Sequence, residues 1–148
     1  MIQNTGLQIT SKLEKLQVLS DFIGNSMLKF GLGEYQQFQV QIAVEEAVKN
    51  VINCGNLEEK DKITVKCQKQ DNEIKVSINY PGEQFNPIKT ELNNSSSKKD
   101  CLKVYFVKKN MNKVNYEFYY RENLLTLIKR LWNYFFGFNS FISPDLRA

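Results

Sequence analysis

The stretch Gln39-Val40-Gln41-Ile42-Ala43-Val44-Glu45-Glu46-Ala47-Val48-Lys49-Asn50-Val51-Ile52-Asn53 leaves this chain few folds to choose from. Val40, Ala43, Val44, Ala47, Val48, Val51 and Ile52 recur at spacings of three and four, which predicts a long helix with one buried stripe. Glu46 and Asn50 sit on that background one turn apart, side by side on one face. Burying an unpaired acid or amide costs about 1–3 kcal/mol, so the pair reads as a site. The plainer reading is a solvent-facing helix edge, with Glu45 and Lys49 forming an i,i+4 ion pair.

Such a helix needs a second layer, and the flanking sequence supplies strands. Leu7–Thr10 alternates and predicts a short first strand. Ser11, with Glu14 three residues on, predicts a capping box for a helix through Leu13, Leu16, Leu19, Phe22, Ile23 and Met27 that stops near Gly31. The central helix runs from about Glu34 to Asn53 and ends at Cys54-Gly55-Asn56. Ile63–Lys69 and Ile74–Tyr80 alternate around a turn at Gln70-Asp71-Asn72, an antiparallel hairpin with one buried face. Thr90–Lys99 is polar and reads as a loop. Leu102 to Val114 has helical spacing, and two last strands, Val114–Tyr120 and Leu124–Leu131, are joined at Arg121-Glu122-Asn123. Helices grouped against a mostly antiparallel sheet predict an α+β two-layer sandwich in a single domain.

Composition removes several chemistries. The chain of 148 residues contains no histidine, so any acid–base step falls to a carboxylate or a lysine. Cys54, Cys67 and Cys101 lie far apart and are expected to be reduced and structural, with no zinc spacing among them. Met1–Thr10 has neither a basic start nor an apolar run, and no stretch reaches transmembrane length. A cytoplasmic location without membrane contact is the expectation. Net charge is +4, with −2 in residues 1–74 and +6 in residues 75–148. Lys98, Lys99, Lys103, Lys108, Lys109 and Lys113 carry much of the excess, and read as a solvated helix face rather than a nucleic-acid stripe.

Ala43-Val44-Glu45-Glu46-Ala47-Val48-Lys49-Asn50 resembles the N-box of the anti-sigma factor/serine-protein kinase family. That family belongs to the histidine-kinase-like (GHKL, Bergerat-fold) ATPases. The hairpin, the run Gly82-x-x-Phe85-Asn86-Pro87 and the closing strands extend the resemblance over about residues 6–131. It implies a Bergerat-fold domain at 1–131. Asn50 would be the amide that helps hold Mg²⁺ between triphosphate oxygens. Glu46 would orient or deprotonate an attacking hydroxyl. Gly82 and Phe85 fit the adenine-site loop, and Lys103 would pair with phosphates as a point charge. The family function implied is bacterial transcription control by partner switching, with a sigma factor or a STAS-type anti-anti-sigma protein as partner and ATP with Mg as cofactor.

Three positions depart from the family. Tyr80 stands where the adenine-binding aspartate belongs, and a phenol cannot replace a carboxylate as acceptor for the base amine. Losing that acceptor costs about 1.5–3 kcal/mol, or about 10- to 150-fold in affinity. Gln84 replaces the loop's second glycine, and no glycine occurs between Gly82 and Gly137 to build a phosphate lid. The expectation is a regulatory module with weak or lost ATP binding; the alternatives are a working Mg-ATP-dependent serine-protein kinase and a structural, oligomerising domain. Residues 132–148 form an aromatic tail, with six aromatics between Leu131 and Ile142. That tail predicts either a segment closing on the domain itself or a homodimer or partner interface.

Overall fold

The small, branched residues of the central helix let it lie close on a sheet. Val40, Ala43, Val44, Ala47, Val48 and Val51 are fully buried. In the computed structural model, which describes residues 2–89 and 104–131, that helix (α2, Glu34–Cys54) packs beside α1 (Leu16–Lys29). Five strands form the other layer: β1 (Ile2–Thr10), β2 (Lys62–Gln70), β3 (Glu73–Pro81), β4 (Lys113–Tyr119) and β5 (Glu122–Arg130). They run in the order β1-β2-β3-β5-β4, with every neighbouring pair antiparallel. A third helix, α3 (Phe106–Asn110), precedes β4. Ile63, Val65, Ile74, Val76, Ile78, Leu125 and Leu127 share one core with the two long helices. The architecture is the expected α+β sandwich, with its helices on one face of the sheet.

Helix ends carry much of the specificity. Gly31, at φ +89°, lets α1 finish in a Schellman turn: Leu32 N donates to Met27 O at 3.0 Å and Gly31 N to Leu28 O at 2.9 Å. Lys69 Nζ then donates to Phe30 O at 2.8 Å, placing a cation at the negative end of that helix. Asn56, at φ 57°, turns the chain away after α2.

Several local expectations are corrected. Ser11 does not cap α1: its backbone N–H goes to Asp61 O at 3.0 Å, its hydroxyl is buried without a partner, and a 3-10 turn at Leu13–Lys15 separates it from the helix. β1 begins five residues earlier than its alternation indicates, because pairing with β2 continues out to Ile2↔Gln70. The helix expected over Leu102–Val114 is only five residues long in the described part. The β4–β5 turn is centred on Tyr120 and Arg121, both at positive φ, not on residues 121–123. Cys67 is free and buried, its thiol pushed up to about 12 chiefly by burial, whereas Cys54 is disulfide-bonded. The aromatic tail at 132–148 and the polar loop at 90–99 lie outside the described residues.

Candidate functional site

The site is bounded by one face of α2, the loop after β3, and the far ends of β4 and β5. Asn50 is 5% exposed and donates from Nδ2 to Pro87 O at 3.1 Å, tying α2 to the loop. Glu46, one turn earlier, accepts from Tyr105 N at 3.0 Å through one carboxylate oxygen and from Val107 N at 2.9 Å through the other. These amides are the orphan donors at the start of α3, whose own N-cap residue Tyr105 offers no side-chain bond. At the other end of α3, Lys129 donates from Nζ to Asn110 O at 2.9 Å. A five-residue helix is thus held by an acid at its positive end and a base at its negative end, each reaching in from another element.

The loop is built around Gly82, at φ +112°, where a Cβ would meet no atom within 4 Å, so the backbone conformation alone selects glycine. Its N–H donates to Arg121 O at 2.9 Å, joining the loop to the β4–β5 turn. Tyr80, the last core-facing residue of β3, is fully buried and donates its hydroxyl to Phe85 O at 2.6 Å. Phe85 N donates to both Tyr116 Oη and Asn123 Oδ1, each at 3.0 Å. The Tyr116 hydroxyl in turn donates to Asn123 Oδ1. Asn123, also fully buried, donates from Nδ2 to Glu83 O at 3.1 Å and Tyr80 O at 3.3 Å. Burial raises the proton affinity of both phenols, so Tyr80 and Tyr116 stay neutral donors.

Of the six residues named from sequence, Asn50 is bonded to Pro87 of the loop that carries Gly82 and Phe85, Tyr80 is bonded to Phe85, and Glu46 lies one turn from Asn50 against the start of α3. Lys103 lies outside the described residues, as do Lys98 and Lys99 and the segment where lid glycines would be sought. Tyr116 and Asn123 were not anticipated. Asn123 was detectable in principle: on β5 the core-facing positions are Asn123, Leu125, Leu127 and Lys129, and an amide at the head of that series is out of pattern.

Among the described residues side chains alone do not assemble a magnesium site, and Asn50 is the residue that would help hold the ion beside phosphate oxygens. Each oxygen of Glu46 accepts one backbone N–H group, and the described bond of Asn50 runs from its amide nitrogen, not its oxygen, to Pro87 O. Among the described residues no three Asp, Glu, Cys or His side chains converge closely enough to hold a metal. At the loop after β3, the Tyr80 phenol spends its one proton on Phe85 O and presents no carboxylate.

Comparison with known proteins places this geometry in context. A family model described as the histidine kinase-like ATPase domain matches residues 9–129. No curated protein matches the chain. Among solved structures, the chain is similar in fold to the RsbU and RsbW domains of Rv1364c from Mycobacterium tuberculosis, with a TM-score of 0.66 at 12% identity. That alignment covers 87% of this chain and 32% of the other, so the chain spans about a third of that protein's length.

Proposed function

The chain belongs to the histidine kinase-like ATPase family, and from that membership we propose that it is a regulatory binding module of partner-switching type whose nucleotide binding is weak or lost. It resembles an anti-sigma factor in its N-box and loop residues. In this reading it grips a sigma factor or a STAS-type anti-anti-sigma protein through its folded surface, in the cytoplasm. No helix among the described residues is long and apolar enough to cross a membrane.

One observation supports the loss of nucleotide binding above the others: Tyr80, Phe85, Tyr116 and Asn123 satisfy one another's hydrogen bonds on the base side of the site. A ligand arriving there would have to break a closed network and leave buried groups unpaired, at about 1–3 kcal/mol each. Glu46 adds to this, since a carboxylate that holds two backbone amides has about half of its acceptor sites already in use as a strut for α3.

Isothermal titration of the full chain with Mg-ATP tests the reading. The expected result is no heat of binding, or a dissociation constant in the millimolar range. A low-micromolar constant that Asn50→Ala abolishes would instead favour the working serine-protein kinase, with Glu46 as base and Asn50 on the metal.

A further inference from the structure

Glu46, Asn50 and Cys54 follow one another at intervals of four on α2, so they line one face of that helix. Glu46 holds the amides of Tyr105 and Val107, and Asn50 holds Pro87 O. Cys54, nearly buried, is disulfide-bonded. Of the three cysteines in the chain Cys67 is free, so within one chain the partner of Cys54 is Cys101. Cys101 lies outside the described residues, four positions before Tyr105. The reach is sufficient. From Glu46 to Cys54 α2 rises about 12 Å, and four residues of extended chain span up to about 14 Å. Cys67 does not compete for either thiol: it sits on β2 between β1 and β3, and burial pushes its own thiol up to about 12.

We propose that Cys54 and Cys101 form a reversible thiol–disulfide switch that sets how firmly α2 holds the start of α3. The proposal rests on the cytoplasmic location in the reading above, not on its nucleotide affinity. In a reducing compartment a permanent structural bridge is the exception, and the disulfides that form there are mostly transient and redox-responsive. Oxidised, the bridge adds a covalent rung to the hydrogen-bonded rungs of Asn50 and Glu46, and restrains the chain that leads into Tyr105. Reduced, the start of α3 is held by Glu46 and by the buried side chains of Val104 and Val107. The oxidant is a low-molecular-weight disulfide such as oxidised glutathione. One cysteine thiolate displaces a glutathione thiolate to give a mixed disulfide, and the second cysteine displaces the other half. The two electrons and two protons of the thiol pair leave as two molecules of glutathione thiol, and excess thiol reverses both steps.

Equilibration of the full chain at pH 7 in glutathione buffers, from fully oxidised to fully reduced, tests it. Alkylation under denaturing conditions and intact mass then count the thiols. One thiol, that of Cys67, is expected at the oxidised end and all three at the reduced end, with the change reversible, and peptide mapping should join Cys54 to Cys101. Amide exchange at Tyr105 and Val107 should be about tenfold or more faster in the reduced chain. In Cys54→Ser and Cys101→Ser it should be fast in both buffers, whereas Cys67→Ala should keep the redox response. Thermal melts establish that each variant is folded; should a serine variant fail, the wild-type chain reduced and alkylated in its folded state makes the same comparison. A bridge that no glutathione ratio opens in the folded chain overturns the proposal. So does a Cys54 linked to Cys67 or to a second chain, and so do exchange rates that are equal in the two redox forms. Titration with Mg-ATP in either buffer reports on the nucleotide reading alone, so the two ideas fail separately.

Discussion

The two sides of the site treat polar groups in different ways. On α2, Glu46 and Asn50 keep the residue types of a nucleotide-binding motif, yet their described hydrogen bonds run to backbone groups of α3 and of the loop. On the sheet side the expected carboxylate is a tyrosine, and a new partner set, Tyr116 and Asn123, closes around it. The first side retains the letters and changes their use; the second changes the letters and builds a replacement. A motif read from sequence therefore locates a site better than it states its chemistry, because the chemistry depends on which lone pairs are already spent.

The sharpest way to break the contrast is at Asn123. It is fully buried and bonds Tyr80, Glu83, Phe85 and Tyr116, so Asn123→Ala leaves several buried groups unsatisfied. A loss of about 2–4 kcal/mol in urea denaturation is expected. A loss below about 1 kcal/mol would mean that the network does not hold the loop, and the sheet side would be as open to a ligand as the family pattern implies.

Glu46 tests the other side. Glu46→Ala removes a charged cap from α3 and should cost about 1–2 kcal/mol. Glu46→Gln, with one acceptor oxygen left, should cost about half as much, and amide exchange at Tyr105 and Val107 should quicken in both variants. If neither variant changes stability or exchange, the carboxylate is not a strut, and its role as a base returns to the front. Tyr80→Phe asks for less: it deletes one bond, leaves Phe85 O without its donor, and should cost about 1 kcal/mol with no gain in Mg-ATP binding.

Much of the fold was legible, and for physical reasons. The 3.6 period of α2, the alternation of β2 and β3, and the stops at Gly31 and Asn56 are local signals that packing reinforced. The misses fall where tertiary contacts decide. α3 is short because its caps come from Glu46 and Lys129, 59 and 19 positions away from the groups they bond, and no periodicity reports that. Ser11 looked like a cap because the sequence does not show that Asp61 claims its backbone N–H. In the candidate site, Glu46, Asn50, Tyr80, Gly82 and Phe85 are nameable from residue type and spacing, but the bonds they make are not. Tyr116 was not, because its hydroxyl matters only once register sets β4 against β5 beside the loop.

The smallest expected effect separates neighbours in sequence. Glu45 and Glu46 are adjacent carboxylates, but Glu45 turns toward α1, where it accepts a long hydrogen bond from Ser20 Oγ at 3.3 Å. Burial raises its proton affinity first; the Ser20 bond opposes that shift, and nearby Asp21 adds to it. With the folded pKa above the usual 4.5, the folded chain binds protons more tightly than the unfolded chain at this residue. Its stabilising contribution is then present below pH 4.5 and is lost as pH rises through the folded value. At pH 7 Glu45→Gln removes a partly desolvated charge that is repelled by Asp21 across the helix pair. Because the group is half in solvent, the gain should be well under 1 kcal/mol, and should shrink toward zero by pH 4. Urea midpoints of the two proteins at both pH values measure it. A variant less stable than wild type at pH 7 would show that the Ser20 bond outweighs burial, and that both carboxylates of the pair, not Glu46 alone, serve as struts between helices.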